Sequence, residues 1–179
     1  HLNLSQNDAN LSSLAVGGTN TGVTTLEMAA AFACFGNGGR YYEPYSYYKV
    51  TDRHGNIVLD NRNNQPQQAI KRETASSMLS MLTKAVTQSS GTGYGSYISR
   101  FQTFAKTGTT SDDADRWLCG FTQHYSAATW FGYDQNRESV KGFLKNPAGS
   151  IWSNVMKNIH TDKAKVRFAR PNSGVVWGK

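Results

Sequence analysis

The chain has 179 residues, a hydrophobic fraction of 38% and a formal net charge of +7, enough length and apolar content for one globular unit with its own core. No run reaches the roughly 18 consecutive apolar residues of a membrane-spanning helix, and the amino terminus lacks the basic and apolar regions of a secretory signal. Lys and Arg are scattered, with only Lys163, Lys165, Arg167 and Arg170 close together and aromatic residues not interleaved with basic ones in a stacking pattern, so the charge reads as a basic surface and no nucleic-acid partner is expected.

In chain order, Thr24 followed by Glu27 fits a capping box, and the apolar run from Leu26 to Phe35 predicts a helix that Gly36 ends in a left-handed cap. Met28, Ala29, Ala30, Phe32, Ala33 and Cys34 leave almost no polar face, so this helix is expected to be buried on most sides. Past the Asn37-Gly38-Gly39 turn, Tyr45 to Thr51 and Asn56 to Asp60, joined through Asp52 and Gly55, predict a tyrosine-rich hairpin. Ala75, Met78, Leu79, Leu82, Ala85 and Val86 recur at the spacing of an amphipathic helix, which Gly91 and Gly93 end. Thr103 to Thr110, Trp117 to Thr122 and Ser126 to Tyr133 are β-rich runs between polar turns, the pattern of an antiparallel meander. Ile151, Trp152, Val155, Met156 and Ile159 mark one face of a helix that would lie across that sheet. Residues 1–165 are thus read as one unit and 166–179 as an extended tail or the start of a further module. The start at His1 and the glycine-rich end at Lys179 are read as those of a fragment. Cys34 and Cys119 each sit inside an apolar run and are expected as buried free thiols, and the four histidines show no ligand spacing, so no metal or other cofactor is expected.

The most informative stretch is Phe104-Ala105-Lys106-Thr107-Gly108-Thr109-Thr110. On a β-run it presents a cation, two hydroxyls and a glycine: the ammonium and hydroxyls suit a carboxylate, and the glycine admits a ligand backbone. An amide just after that glycine is placed to stabilise a developing oxyanion. As a bare tetrapeptide Lys-Thr-Gly-Thr is also an ordinary polar strand end, so context decides. A phosphate-binding loop would need glycine at positions 100 and 105, which are Arg100 and Ala105. Gly91-Thr92-Gly93-Tyr94-Gly95 lacks dinucleotide spacing and reads as a turn.

Several separate stretches supply the context. Leu14-Ala15-Val16-Gly17-Gly18, Gly22 to Ala29 with Asn37-Gly38-Gly39, Gly91-Thr92-Gly93, Lys106 to Thr110 and Asp115 to Thr122 occur in the order and at intervals that resemble the later part of the transpeptidase domain of class A, bifunctional penicillin-binding proteins. Ala105 stands where relatives often have glycine. The resemblance implies an α+β, serine β-lactamase/DD-peptidase-like fold, a five-stranded antiparallel sheet flanked by helices, of which this chain supplies only the later part. It implies peptidoglycan D,D-transpeptidation through a serine acyl-enzyme, inhibited by β-lactams, at the extracytoplasmic face of the bacterial membrane. The partners implied are peptidoglycan stem peptides, β-lactam antibiotics, and an upstream segment of the same protein that holds Ser-x-x-Lys and Ser-x-Asn; membrane attachment is through an anchor outside the chain. Lys106 and Thr109 are implied as catalytic, and Thr107, Gly108, Thr109 and Thr110 as substrate-binding.

Two chance matches to the absent motifs are set aside. Ser46-Tyr47-Tyr48-Lys49 lies in a tyrosine-rich strand, where residues three apart point to opposite faces, and Ser5-Gln6-Asn7 sits too near the glycine pair and reads as a loop. Trp117, Trp130 and Phe131 are expected in the core, and Asp112, Asp113 and Asp115 in a solvated turn, with a local cap or pair at Asp115. The competing readings are a non-catalytic penicillin-sensing domain and a serine β-lactamase on the same fold.

Overall fold

The computed structural model describes residues 2–8, 11–134 and 138–168. After a single 3-10 turn at Gln6–Asp8 come helices α1 (Leu11–Ala15) and α2 (Thr25–Gly36), then β1 (Arg40–Tyr41), β2 (Lys49–Thr51), β3 (Ile57–Asp60), β4 (Gln67–Gln68) and α3 (Arg72–Thr87). The second half runs β5 (Phe104–Thr109), β6 (Asp115–Phe121), β7 (Ser126–Gly132) and α4 (Pro147–Ile159). The capping box is made: the Thr24 hydroxyl accepts from the Glu27 amide while the Glu27 carboxylate accepts from the Thr24 amide.

The expected meander is the centre of the fold, an antiparallel sheet in the order β5-β6-β7. It supplies three of the five strands that the resemblance implies. Strand alternation sends Phe104, Cys119 and Phe121 to one face and Ala105, Leu118 and Ala127 to the other. On the first face α2 and α3 bring Phe32, Phe35, Met78, Leu79 and Leu82 against Phe104 and Phe121. On the second, α4 lays Ala148, Trp152 and Met156 on Ala105 and Leu118. Trp152, Phe121, Leu118 and Met156 are almost wholly enclosed, each contributing roughly 1.5–3 kcal/mol through apolar burial.

Four expectations are corrected. The first helix continues through Gly36, whose hydrogen faces the Phe121 ring, and the left-handed residues come later, at Gly38 and Gly39. A side chain at Gly39 would run into the Ile70 carbonyl where β1 meets β4, a two-residue pairing that the sequence did not announce. Second, α2 is only half-covered: Cys34 alone among its residues is buried, and Leu26 is 61% exposed. Third, the hairpin ladder is shorter than the tyrosine run, pairing Lys49–Thr51 with Ile57–Asp60, and all of its residues are exposed. Fourth, α4 begins at Pro147, with the Asn146 side chain capping the Ala148 amide. Its inward stripe is Ala148, Gly149, Trp152, Ser153 and Met156, and Ile151, Val155 and Ile159 lie outside. Small residues let the helix sit close to the sheet, which rotates the larger aliphatics away.

Cys34 and Cys119 are buried and unbonded, as expected, and burial pushes the Cys119 thiol up to about 12. No helix among the described residues is long and apolar enough to cross a membrane. Past α4, the Phe168 ring packs edge-on against Phe104 and Phe121, and its amide donates to Gln102 Oε1. The rest of the expected tail, residues 169–179, lies outside the described residues.

His160, at the carboxyl end of α4, is 2% exposed. Its Nδ1 lies 2.5 Å from the Met156 carbonyl oxygen, which can only accept, so Nδ1 carries the proton and Nε2 accepts from the Thr122 hydroxyl at 2.7 Å. That hydroxyl oxygen already accepts from the His124 amide at 3.1 Å. Burial, with lesser contributions from His124 and Lys163, pushes the His160 pKa below its ordinary value, against the opposing Met156 carbonyl bond. The unfolded chain therefore binds a proton at higher pH than the folded one, so this contribution to stability is fully present above about pH 6.5 and is lost as pH falls through the folded value. Urea unfolding at pH 7.5 and pH 5 should show a larger acid loss in wild type than in His160→Gln; equal losses would show that His160 does not titrate between these states.

Candidate active site

β5 is an edge strand of the sheet, and its hydrogen-bond alternation can be read from the turn that follows it. The Thr110 amide donates to the Asp115 carbonyl, and the register pairs Lys106 with Cys119 and Gly108 with Trp117. Antiparallel pairing alternates, so the even-numbered amides face β6 and those of Thr107 and Thr109 face the open edge. Thr107 and Thr109 also share a sheet face, whereas Lys106 leaves from the opposite face and folds over the edge. Its ammonium donates to the Thr107 carbonyl at 2.9 Å and to the Thr92 hydroxyl at 3.5 Å, and the Thr107 hydroxyl donates to that of Thr92 at 2.7 Å.

Thr92 reaches the strand because the segment after α3 folds back on the helix end. The Gly93 and Gly95 amides donate to the Ala85 and Val86 carbonyls, and at Gly91 a side chain would overlap the Ala85 carbonyl. The Gly91-Thr92-Gly93 turn is therefore a wall of the site as well as the end of a helix.

Lys106, Thr107, Thr109 and Thr92 line a cleft of about 490 Å³. Arg116, Lys145 and Asn146 also line it, together with the apolar Phe143 and Leu144. Arg116 is the cross-strand partner of Thr109. Asn146 fixes the start of α4 by donating from Nδ2 to the Trp117 carbonyl at 3.0 Å. The cleft thus gathers ammonium, guanidinium and hydroxyl donors, with no Asp or Glu among the described residues that line it, a composition that suits a carboxylate.

Of the residues expected at the site, Lys106, Thr107 and Thr109 come together. Gly108 stands behind them, where a Cβ would lie 3.1 Å from Trp117 Cβ, so its small size serves packing between the strands. The Thr110 hydroxyl accepts from the Asp115 amide at 2.8 Å and is taken up by the turn. In that turn Asp112 and Asp113 are left-handed, Asp113 pairs with Arg116 at 2.9 Å, and the Asp115 carboxylate accepts from the Trp130 indole at 2.8 Å. Asp113 and Asp115 are engaged locally, and Asp112 is exposed. Thr92, Arg116, Lys145 and Asn146 escaped the sequence reading. The last carried a signal, since Asn before Pro is a helix start; Arg116 and Lys145 reach the cleft only through strand register and a long loop.

The set-aside serine motifs lie elsewhere. The Ser5 hydroxyl donates to Asp8 at 2.8 Å, in a knot where Asp8 also accepts from Thr21 and Asn20, and those bonds hold the Asp8 carboxyl well below the usual range. Lys49 is on the exposed hairpin.

With this geometry in hand, a family model described as the penicillin binding protein transpeptidase domain matches residues 2–159. Penicillin-binding protein 1A of Clostridium botulinum is 35% identical over 167 residues, covering 93% of this chain and 20% of that protein. Penicillin-binding protein 1A of Clostridium acetobutylicum is 39% identical over 136 residues, covering 76% and 16%. The fold is similar to that of the PonA1 protein from Mycobacterium tuberculosis, solved in complex with penicillin V, with a TM-score of 0.76 at 22% identity over 97% of this chain and 48% of that one. It is also similar to penicillin-binding protein 1A from Haemophilus influenzae, with a TM-score of 0.69 at 24% identity over 89% and 29%. The chain spans about a fifth of the length of these curated relatives.

Proposed function

The chain belongs to the penicillin-binding protein transpeptidase domain family, and from that premise we propose that it supplies the edge strand of a serine acyl-transfer site that cross-links peptidoglycan stem peptides. The nucleophilic serine and its lysine belong to an upstream Ser-x-x-Lys segment, with Ser-x-Asn between it and this chain. The observation that carries the reading is the open edge of β5, where Lys106, Thr107 and Thr109 meet one carboxylate-suited cleft.

In the first step the serine oxygen attacks the carbonyl of the penultimate D-alanine, and the terminal D-alanine leaves after its nitrogen takes up a proton. The Thr109 amide at the edge stabilises the oxyanion of the tetrahedral intermediate. The Thr107 and Thr109 hydroxyls donate to the terminal carboxylate, and Lys106 adds positive potential and joins the proton network beside the serine pair. Thr110, held by Asp115, keeps the strand end in place. In the second step an amine of a neighbouring stem peptide attacks the acyl-enzyme, frees the serine and forms the cross-link. A β-lactam follows the first step and blocks the second. Stem peptides are outside the cell, so the chain works at the extracytoplasmic face of the membrane, attached through a part of the protein beyond this segment.

Incubation of a full-length protein carrying this chain with a fluorescent penicillin, followed by proteolysis, tests the assignment. Label on the segment upstream of residue 1 and slow release of the adduct are the expected results. Label within this chain, no label, or rapid penicillin hydrolysis would overturn the transpeptidase reading, the last in favour of a β-lactamase.

A further inference from the structure

The turn that joins β5 to β6 takes an uncommon backbone path. Asp112 and Asp113 are both left-handed, with φ of 62° and 56°, a conformation that most side chains resist and that Asp and Asn tolerate best. Strain of this kind persists only where the surroundings hold it in place, and it gathers at functional positions. Asp113 is held at each of its polar groups. Its amide donates to the Thr110 carbonyl at 3.2 Å, its carbonyl accepts from the Val140 amide at 2.8 Å, and its carboxylate pairs with Arg116 at 2.9 Å. Val140 is 4% exposed, whereas Ser139, Lys141 and Gly142 beside it are exposed, so it is an anchor in the loop before α4. A second anchor is Asn146, whose Nδ2 donates to the Trp117 carbonyl at 3.0 Å. Between these two in sequence come Phe143, Leu144 and Lys145, which line the cleft with Thr107 and Thr109 and are themselves exposed.

We infer that Asp113 is a positioning residue for acyl transfer: its left-handed backbone aims its carbonyl at Val140, and that bond latches Phe143, Leu144 and Lys145 into the lining of the cleft. The inference rests on the transpeptidase reading and adds a residue to it that touches no reacting atom. β5 runs directly into this turn, and the Thr110 amide ties the turn to the ladder through the Asp115 carbonyl, so the latch sets the loop by the position of the active strand. If Asp113 relaxes to ordinary backbone angles, its carbonyl swings away and the Val140 amide loses its acceptor. The loop is then held through Asn146 and the edge-on contact of Phe143 with Phe131, whose ring centroids are 5.3 Å apart, but no longer at Val140. Phe143, Leu144 and Lys145 stand off the strand that carries the Thr109 amide, so loosening them weakens donor binding more than it slows the chemical step. The bond to Val140 is made by the backbone of Asp113, and the pairing with Arg116 steadies it from the side-chain end.

The test measures kcat and KM for a peptide ending in D-Ala-D-Ala, with amide hydrogen exchange across the loop, in a full-length protein carrying this chain. Asp113→Ala, which puts a residue that resists left-handed angles at this position, should raise KM roughly three- to tenfold, the span of one ordinary hydrogen bond, with kcat nearly unchanged. Exchange at Val140 should quicken while that of β5 stays as in wild type. Asp113→Asn tolerates the left-handed conformation and keeps the carbonyl where it is, so it should stay within about twofold of wild type in KM. Val140→Pro deletes the other partner of the bond, and should raise KM by a similar factor and add little to Asp113→Ala in the double variant. An unchanged KM in Asp113→Ala, an equal loss in Asp113→Asn, or a fall in kcat with faster exchange of β5 would overturn the inference, the last by making the turn a support of the strand alone. Should Asp113→Ala not fold, an unchanged KM in Val140→Pro would overturn it. Failure of wild type to acylate on its upstream segment with fluorescent penicillin would instead bring down the transpeptidase reading, while exchange at Val140 would still report the latch, so the two failures are separable.

Discussion

In a full-length protein carrying this chain, Lys106→Ala is expected to slow penicillin acylation by roughly 10²–10⁴-fold, the span of an acid–base contribution to a proton-coupled step. The ammonium is placed by the backbone: it donates to the carbonyl of the next residue, which faces the open strand edge, and reaches the Thr92 hydroxyl. In the proposed mechanism, removing it takes away the positive charge between the approaching carboxylate and the serine pair; it also leaves the Thr107–Thr92 bond without its cationic neighbour. The side chain is exposed, so thermal stability should move by no more than about 0.5 kcal/mol. Lys106→Arg is not expected to rescue fully, because a planar fork cannot place its charge where a compact ammonium sits. Rapid-quench labelling read beside a melting curve separates the two effects. Labelling near the wild-type rate in a folded Lys106→Ala protein would remove Lys106 from the chemistry.

The parts of this fold that were legible in the sequence are those where local signals and packing agree. The Thr24–Glu27 box, the amphipathic spacing of α3 and the three β-rich runs each carry their own period or cap, and each forms close to where it was expected. The misplaced features depend on neighbours distant in sequence. Gly36 looks like a helix end, yet its bare α-carbon is needed where Phe121 crosses. On α4 the aliphatic arc from Ile151 to Ile159 is wider than the stripe that faces the sheet, and Ala148, Gly149 and Ser153, weak signals in any hydrophobic count, decide which part turns inward. At the site, Lys106, Thr107 and Thr109 were legible because they adjoin on one strand. Arg116 becomes visible only when register sets it opposite Thr109, and Thr92 only when the post-helical glycines fold the chain back onto β5. A linear motif shows the chemistry of one strand of a cleft; the rest of its lining is set by topology.

Gly120→Ala is expected to disturb stability and activity together, because one added methyl lands behind the active strand. Gly120 pairs with Ala105, which has no exposed surface, and the alternation that turns the Thr107 and Thr109 amides outward makes this a non-hydrogen-bonded pair, where side chains come closest. A Cβ on Gly120 would overlap that of Ala105 and stand 2.7 Å from the Phe104 carbonyl oxygen and 3.0 Å from the Ala105 α-carbon. With Leu118, Trp152 and Met156 filling the face that Ala105 joins, the strain is relieved by moving β5 toward its open edge, where no strand among the described residues opposes it. Overpacking of this kind costs roughly 1–3 kcal/mol, and the same movement carries Lys106, Thr107 and Thr109 out of line with the serine proposed to lie on an upstream segment, so acylation is expected to fall even in the molecules that remain folded. Ala105→Gly in the same protein removes the methyl overlap and leaves the two backbone contacts, so the double variant should recover part of the lost stability and of the lost labelling. A double-mutant cycle on urea midpoints and acylation rates reads that coupling directly. Wild-type behaviour of Gly120→Ala in both measurements would mean that β5 is not held against β6 as closely as this register requires.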